Sequence, residues 1–248
     1  MKKDCETMLN MDNKILIWFN NWDLYRVIDP SYDEKLLNIL YSDKTKALEL
    51  HFHGLKDLEA LINLEENIYN RFEYLSLHAP DLKWDQETEK ILLKLRDVCK
   101  KMNIKNIVMH PHEVKSWNIF EKFKDLPLSI ENMDNNKPFW QTVEDLSPIL
   151  DKYRFLSLTL DLQHCFVNDN SMKIAEEFHN KYWNRIVEYH ISWYDKKYLH
   201  YKLFDTKQDI IIKALKLKSI PIIIESTLDR INDLDKELNY ILNKLIDY

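Results

Sequence analysis

Glycine is all but missing from this chain: Gly54 is the single one in 248 residues, where average usage is about 7%. Loops of the GxGxxG and GxxxxGKS type, which cradle phosphates on backbone N–H groups, are excluded, and so are the nucleotide-binding readings built on them. Turns must instead be made by Asn, Asp and Lys, which tolerate turn geometry less freely. Cysteine is sparse as well. Cys5, Cys99 and Cys165 form an odd set with no CxxC pair, so there is no disulfide framework and a reducing cytosol is expected. No apolar run approaches a membrane span, and the start Met-Lys-Lys-Asp-Cys-Glu lacks the apolar core of a secretion signal. A soluble, cytoplasmic protein without a membrane partner follows as the expectation. Positive charge is also short. The net charge of −6 argues against nonspecific coating of nucleic acid, which depends on neutralising phosphates, but leaves room for a local basic face.

What is present suits one large α/β domain. The chain is 45% hydrophobic, enough to bury a substantial core, and no Pro-, Ser- or Gly-rich linker, repeat or low-complexity tract divides it. Short apolar runs recur along the whole length: Lys14-Ile-Leu-Ile-Trp-Phe19, Ala47-Leu-Glu-Leu-His-Phe52, Tyr74-Leu-Ser-Leu-His78 and Asn106-Ile-Val-Met-His110. Pro127-Leu-Ser-Ile-Glu131, Leu156-Ser-Leu-Thr-Leu-Asp161, Val187-Glu-Tyr-His-Ile-Ser192 and Pro221-Ile-Ile-Ile-Glu225 complete the series. Each reads as a buried parallel strand. Helical patterns lie between them at Glu87–Met102, Met172–Ile186, Lys207–Lys218 and Arg230–Ile246, the first with Ile91, Leu92, Leu95 and Val98 on one stripe. Eight strand–helix units in a chain of this size predict a single (β/α)₈ TIM barrel over residues 1–248, with a doubly wound open sheet as the alternative.

The polar residues fall at the strand ends. Five of the eight runs finish in a metal-capable residue, namely His78, His110, Glu131, Asp161 and Glu225, and a sixth carries His190 two residues before its end; His164 follows Asp161, and His200 lies in the loop after His190. In a parallel barrel the C-terminal strand ends converge around the axis and carry the catalytic groups. Imidazole with carboxylate favours Zn²⁺ or Mn²⁺. A carboxylate that bridges two cations holds them about 3.5–4 Å apart, so that one activates water while the other neutralises a leaving oxygen.

The motifs His78-Ala-Pro, His110-Pro-His, Ile130-Glu-Asn-Met, Asp161-Leu-Gln-His164, His190-Ile-Ser and Ile224-Glu225 together resemble the xylose isomerase-like barrel superfamily. Within it they look most like the endonuclease IV (abasic-site endonuclease) branch, over residues 47 to 226. The resemblance implies one metal on His78, His110 and Glu131, and a second on the shared Glu131 with Asp161, His190 and Glu225. It implies a third on His164 and an Asp-x-His pair, but this chain reads Tyr198-Leu-His200 there, so the aspartate is missing unless Asp195 replaces it. The tyrosine that follows the first histidine and enters DNA is also absent; Ala79-Pro80-Asp81 stands in its place.

Two activities follow from the resemblance. One is hydrolysis of a phosphodiester by metal-activated water, with two Zn²⁺ or Mn²⁺ ions as cofactor and nucleic acid an open question as partner. The other is isomerisation or epimerisation of a sugar or sugar phosphate, with Glu131 and Glu225 as acid and base. A barrel that binds without turnover is the third reading. Trp193 and His51 are the candidate substrate contacts; Trp193, like Trp18 and Tyr194, either stacks on a sugar or base or fills the core, and His51 either touches substrate or packs. Glu113 can orient a histidine, Cys165 reads as a small buried residue, and His179, in a helical pattern, is expected at the surface. Lys196 and Lys197 either meet a phosphate or are solvated. Oligomeric state is not legible.

Overall fold

The computed structural model describes residues 15–21, 23, 24, 27, 38, 40, 41, 46–63, 71–80, 82, 85–194, 200–207, 209–217 and 219–247. The apolar runs form eight strands: β1 (Ile17–Phe19), β2 (Ala47–His51), β3 (Tyr74–His78), β4 (Asn106–Met109), β5 (Leu128–Glu131), β6 (Ser157–Asp161), β7 (Ile186–Ile191) and β8 (Ile222–Ile224). All pair in parallel in the order β1-β8-β7-β6-β5-β4-β3-β2. Between β1 and β2 the ladder shrinks to one parallel bridge, Asn20 to Glu49, with Asn21 N–H donating to the Glu49 carbonyl at 3.2 Å. The sheet is thus a nearly closed (β/α)₈ barrel.

Helices with described bounds include α1 (Leu55–Asn63), α2 (Asp85–Met102), α3 (Val143–Lys152), α4 (Leu162–Asn168), α5 (Lys173–Tyr182), α6 (Leu203–Thr206), α7 (Ile210–Lys213) and α8 (Asp233–Asp247). Two 3₁₀ segments, Pro111–Glu113 and Trp117–Phe123, occupy the β4–β5 crossover. Helix α3 starts where Thr142 Oγ1 accepts from Asp145 N–H and Asp145 Oδ2 accepts from Thr142 N–H, a reciprocal cap that satisfies two orphan donors.

Alternation along the strands sorts the side chains. Leu48 and Leu50, Leu75 and Leu77, Ile107 and Met109, and Leu158 and Leu160 belong to the apolar core. The other face of β2, β3 and β6, with the matching face of β5, carries Glu49 and His51, Ser76 and His78, Thr159 and Asp161, and Ser129 and Glu131, also buried or half-buried. Bulky branched residues usually fill a barrel interior; here its axis is polar. A register shift between β6 and β7 pairs Leu158 with Ile186 but Thr159 with Glu188, skipping Val187. One extra residue in a strand exchanges its two faces beyond that point. The shift puts Glu188 and His190 opposite Thr159 and Asp161, where the polar layer needs them.

Three sequence expectations change. The pattern at Met172–Ile186 ends as a helix at Tyr182, because Trp183 to Arg185 turn into β7. The pattern at Lys207–Lys218 is not one helix: Lys207, at φ 53°, terminates α6, and α7 begins only at Ile210. His179 is buried, not exposed, donating from Nδ1 to the Ala175 carbonyl and accepting at Nε2 from Tyr189 OH at 2.7 Å.

Scarce glycine leaves a mark on the turns. Asn103, Trp140, Met172 and Lys207 adopt positive φ, although a left-handed L-residue costs about 1–2 kcal/mol. Lys207 is exposed at a helix C-terminus, where glycine is the favoured residue. Lys207→Gly should therefore stabilise by up to about 1 kcal/mol, after the entropy glycine adds to the unfolded chain. A thermal melt should show a rise of about 2–4 °C, and a fall would contradict the conformational account.

Candidate metal centre

The inner-face residues at the C-terminal ends of β3 to β8 meet at the barrel mouth. Glu131, closing β5, is 1% exposed and lies between two sets of neighbours. Its Oε2 stands 3.6 Å from His78 Nε2 and 3.2 Å from His110 Nε2. Its Oε1 stands 3.4 Å from His190 Nδ1, which lies 3.1 Å from Glu225 Oε1. Asp161 completes the second set: ligand atoms of Glu131, Asp161, His190 and Glu225 all fall within 4.8 Å of one another, as do those of His78, His110 and Glu131.

These spacings fit a cation better than a hydrogen-bond network. Glu131 Oε2, Asp161 Oδ2 and His190 Nδ1 are enclosed yet make no well-directed hydrogen bond, a costly condition for buried polar atoms. Atoms that share a tetrahedral cation at about 2.1 Å are separated by about 3.4 Å. The donor set of imidazole and carboxylate is of the kind that takes Zn²⁺ or Mn²⁺.

Local structure aims the donors. Asp161 Oδ1 accepts from His164 N–H at 2.8 Å at the start of α4, which leaves Oδ2 for the cluster. Asn132 pairs its side chain with the Asp161 backbone in both directions, at 2.8 and 2.9 Å. His78 Nδ1 contacts the Ala79 carbonyl at 3.2 Å, so Nε2 is the nitrogen that faces Glu131. A backbone bond and a ligand role are thus compatible in His78. Glu113 stands 3.8 Å from His110 Nδ1 and aims that ring in the same manner.

Comparisons with known proteins add no assignment at this point. No family model matches the chain, and no curated protein matches it.

Of the remaining sequence candidates, His51 lies at the mouth, stacked on His78 with centroids 4.4 Å apart. It lines both a cavity of about 270 Å³ over Glu131 and Glu225 and an adjoining one of about 540 Å³ beside His53 and Glu113. Trp193 is 5% exposed, packs on Phe166 and bridges to Tyr201, so its placement fits core filling. Cys165 is fully buried. His164 donates from Nδ1 to the Asn132 carbonyl at 2.7 Å, and His200 Nδ1 stands 3.6 Å from Glu225 and 3.3 Å from Ser192 Oγ. Both line the smaller cavity. Neither belongs to a group of three or more potential ligands among the described residues. Asp195, Lys196, Lys197 and Tyr198 lie outside those residues.

Sequence reasoning missed Asp23, Glu49 and Glu188. Asp23 lines the smaller cavity. Glu49 and Glu188 are fully buried, each two residues before a mouth histidine on the same strand face. A charge at that spacing inside an apolar run was the available signal.

Burial and neighbours distort the titration of the whole cluster. Burial raises the Asp161 carboxyl to about 8, aided by the charges of Glu225 and Glu131 against the pull of His164. Burial opposes a charged His110, but the carboxylates of Glu113 and Glu131 override it and hold the imidazole at about 10. Burial alone would raise Glu225, yet His190 brings it down to about 2. Burial lowers His51 and His200, which stay neutral.

Asp161 therefore keeps, between its ordinary 3.8 and about 8, a proton the unfolded chain has lost, and His110 does so between 6.5 and about 10. Both contributions are present at low pH and lost as pH rises through the folded values. With a chelator present, raising pH from about 7 to about 9 should lower the melting temperature. Saturating Zn²⁺ or Mn²⁺, which takes the place of those protons, should flatten or reverse that slope. A chelated protein with a pH-independent melt over this range would refute the electrostatic picture.

Proposed function

We propose that this chain is a divalent-metal-dependent phosphoester hydrolase with a two-cation centre, as its resemblance to the endonuclease IV branch implies. The observation that carries the reading is the division of Glu131: one oxygen faces His78 and His110, the other faces His190. An isomerase centre needs only the Glu131, Asp161, His190 and Glu225 set, and leaves the converging histidine pair without a task. Glu131 and Glu225 also both approach His190 Nδ1, a co-ligand arrangement more than a pair flanking an open carbon.

Cations held there would polarise a phosphoester and make water nucleophilic near neutral pH. The chain's own residues do the rest. Glu131 ties the two donor groups together from a rigid strand end. His78 and His110, fixed through their Nδ1 sides, present Nε2 to the mouth. His51 and His200, held neutral, line the cavity over Glu131 and Glu225, where they can hydrogen-bond a substrate oxygen.

Substrate size and charge follow from the mouth. Among the described residues lining the two cavities, Lys137 is the one lysine or arginine, against Asp23, Asp134, Glu87, Glu113, Glu131 and Glu225. A duplex-binding face needs a basic crescent. We therefore favour a compact phosphoester over intact DNA. The same acidic lining would also suit a sugar isomerase with one cation per chain, which is the second reading.

Bis(p-nitrophenyl) phosphate, an abasic-site duplex and a panel of aldose phosphates, each assayed with Zn²⁺ or Mn²⁺, separate these readings. Release of p-nitrophenol is expected, falling at least about 100-fold in Glu131→Gln, with little cleavage of the duplex. Aldose–ketose interconversion without phosphoester cleavage would transfer the assignment to the isomerase. Turnover unaffected by Glu131→Gln would remove the site altogether.

A further inference from the structure

Below the mouth the barrel axis holds a second acidic layer that the proposed chemistry does not use. Glu49 of β2 and Glu188 of β7 are both fully buried. Glu49 Oε2 and Glu188 Oε1 each stand 3.3 Å from His190 Nε2. His190 is itself fully buried and faces Glu131 and Glu225 with its other nitrogen. The ring therefore spans two carboxylate layers, one at the mouth and one deep.

The two layers differ in how their oxygens are satisfied. In the deep layer Glu49 Oε1 accepts from Asn20 Nδ2 at 2.7 Å, and Glu49 Oε2 accepts from Ser76 Oγ at 3.4 Å. Glu188 Oε1 accepts from Asn106 Nδ2 at 3.0 Å, and the same amide reaches Thr159 Oγ1 at 3.1 Å. Thr159 in turn meets Ser129 Oγ at 2.7 Å. Three of the four deep oxygens thus accept hydrogen bonds and Glu188 Oε2 alone lacks a partner among the described residues, and neither Glu49 nor Glu188 lines a mouth cavity. At the mouth, Glu131 Oε2, Asp161 Oδ2 and His190 Nδ1 are left without well-directed partners.

We propose that Glu49 and Glu188 are positioning residues: together they accept the His190 Nε2–H, fix the ring's tautomer and plane, and make Nδ1 the nitrogen that ligates the mouth cation. This rests on the metal centre proposed above. The physical effect is twofold. A pinned ring loses no rotamer freedom on binding metal, and an N–H shared with a carboxylate makes the opposite nitrogen a stronger donor. The arrangement also ties metal binding to closure of the barrel, because Glu49 belongs to the single bridge between β1 and β2.

The test uses the full-length chain labelled with ¹⁵N-histidine and loaded with Zn²⁺. Two-bond proton–nitrogen correlations should show His190 with Nε2 protonated and Nδ1 carrying the metal shift. This readout needs no variant. Competitive Zn²⁺ titrations should give affinities about 10- to 100-fold weaker in Glu49→Gln and Glu188→Gln. The His190 ¹⁵N shifts should move in both variants while the melting temperature of the chelated protein stays level or rises. A His190 ligating through Nε2, as a cation in the deep layer would require, overturns the proposal. So does wild-type Zn²⁺ affinity in both variants while Glu131→Gln loses metal; the metal centre then stands without this support. If the wild-type chain takes up no zinc at all, the centre and this inference fall together.

Discussion

Five carboxylates lie along the axis of one barrel, and no lysine or arginine pairs with any of them among the described residues. Glu49, Glu131, Asp161, Glu188 and Glu225 are each at most 6% exposed, and their ion-pair partners are histidines. An uncompensated buried charge costs several kcal/mol even after relaxation, so this concentration of acid must be met by protons, amide and hydroxyl donors, or cations. Much of the sequence answers that requirement. The strands give one face to Leu and Ile for packing and the other to groups that hold charge. The irregularity at Val187 exists where β7 must turn Glu188 and His190 inward.

The answer differs with depth, and the difference organises function. In the lower layer Asn20, Ser76 and Asn106 donate to three of the four carboxylate oxygens, and Glu188 Oε2 alone is left without a partner among the described residues. At the mouth the acceptors outnumber the donors, and enclosed atoms remain unsatisfied around Glu131. A fold can carry such a deficit when a cation relieves it. His190 belongs to both layers. The cavities above are acidic among the described residues, which restricts the substrate more than the cluster itself does.

A large part of this was readable in the residues. Runs such as Tyr74-Leu-Ser-Leu-His78 and Leu156-Ser-Leu-Thr-Leu-Asp161 announce both the strand and the group at its end, because a period of two fixes which side chains share a face. The convergence of His78, His110, Glu131, Asp161, His190 and Glu225 follows once the strands close into a barrel. Glu49 and Glu188 were missed for the opposite reason. They sit inside apolar runs, and only the barrel's closure shows that their face is interior and shared with a histidine across the axis. His179 defeated helical periodicity because its partner, Tyr189, comes from a strand. Lys207 broke a continuous apolar pattern because a left-handed residue is set by how two helices dock, not by local propensity. Trp193 could be placed only after its loop returned to pair with Tyr201.

Glu131 as a bridge between two cations is the claim on which the functional account stands. Electron paramagnetic resonance of the chain titrated with Mn²⁺ reads it directly, because two ions joined by one carboxylate are magnetically coupled. The account predicts a coupled spectrum from the wild-type chain at saturation and isolated-ion signals alone from Glu131→Gln. Isolated-ion signals from the wild-type chain at every loading would contradict it.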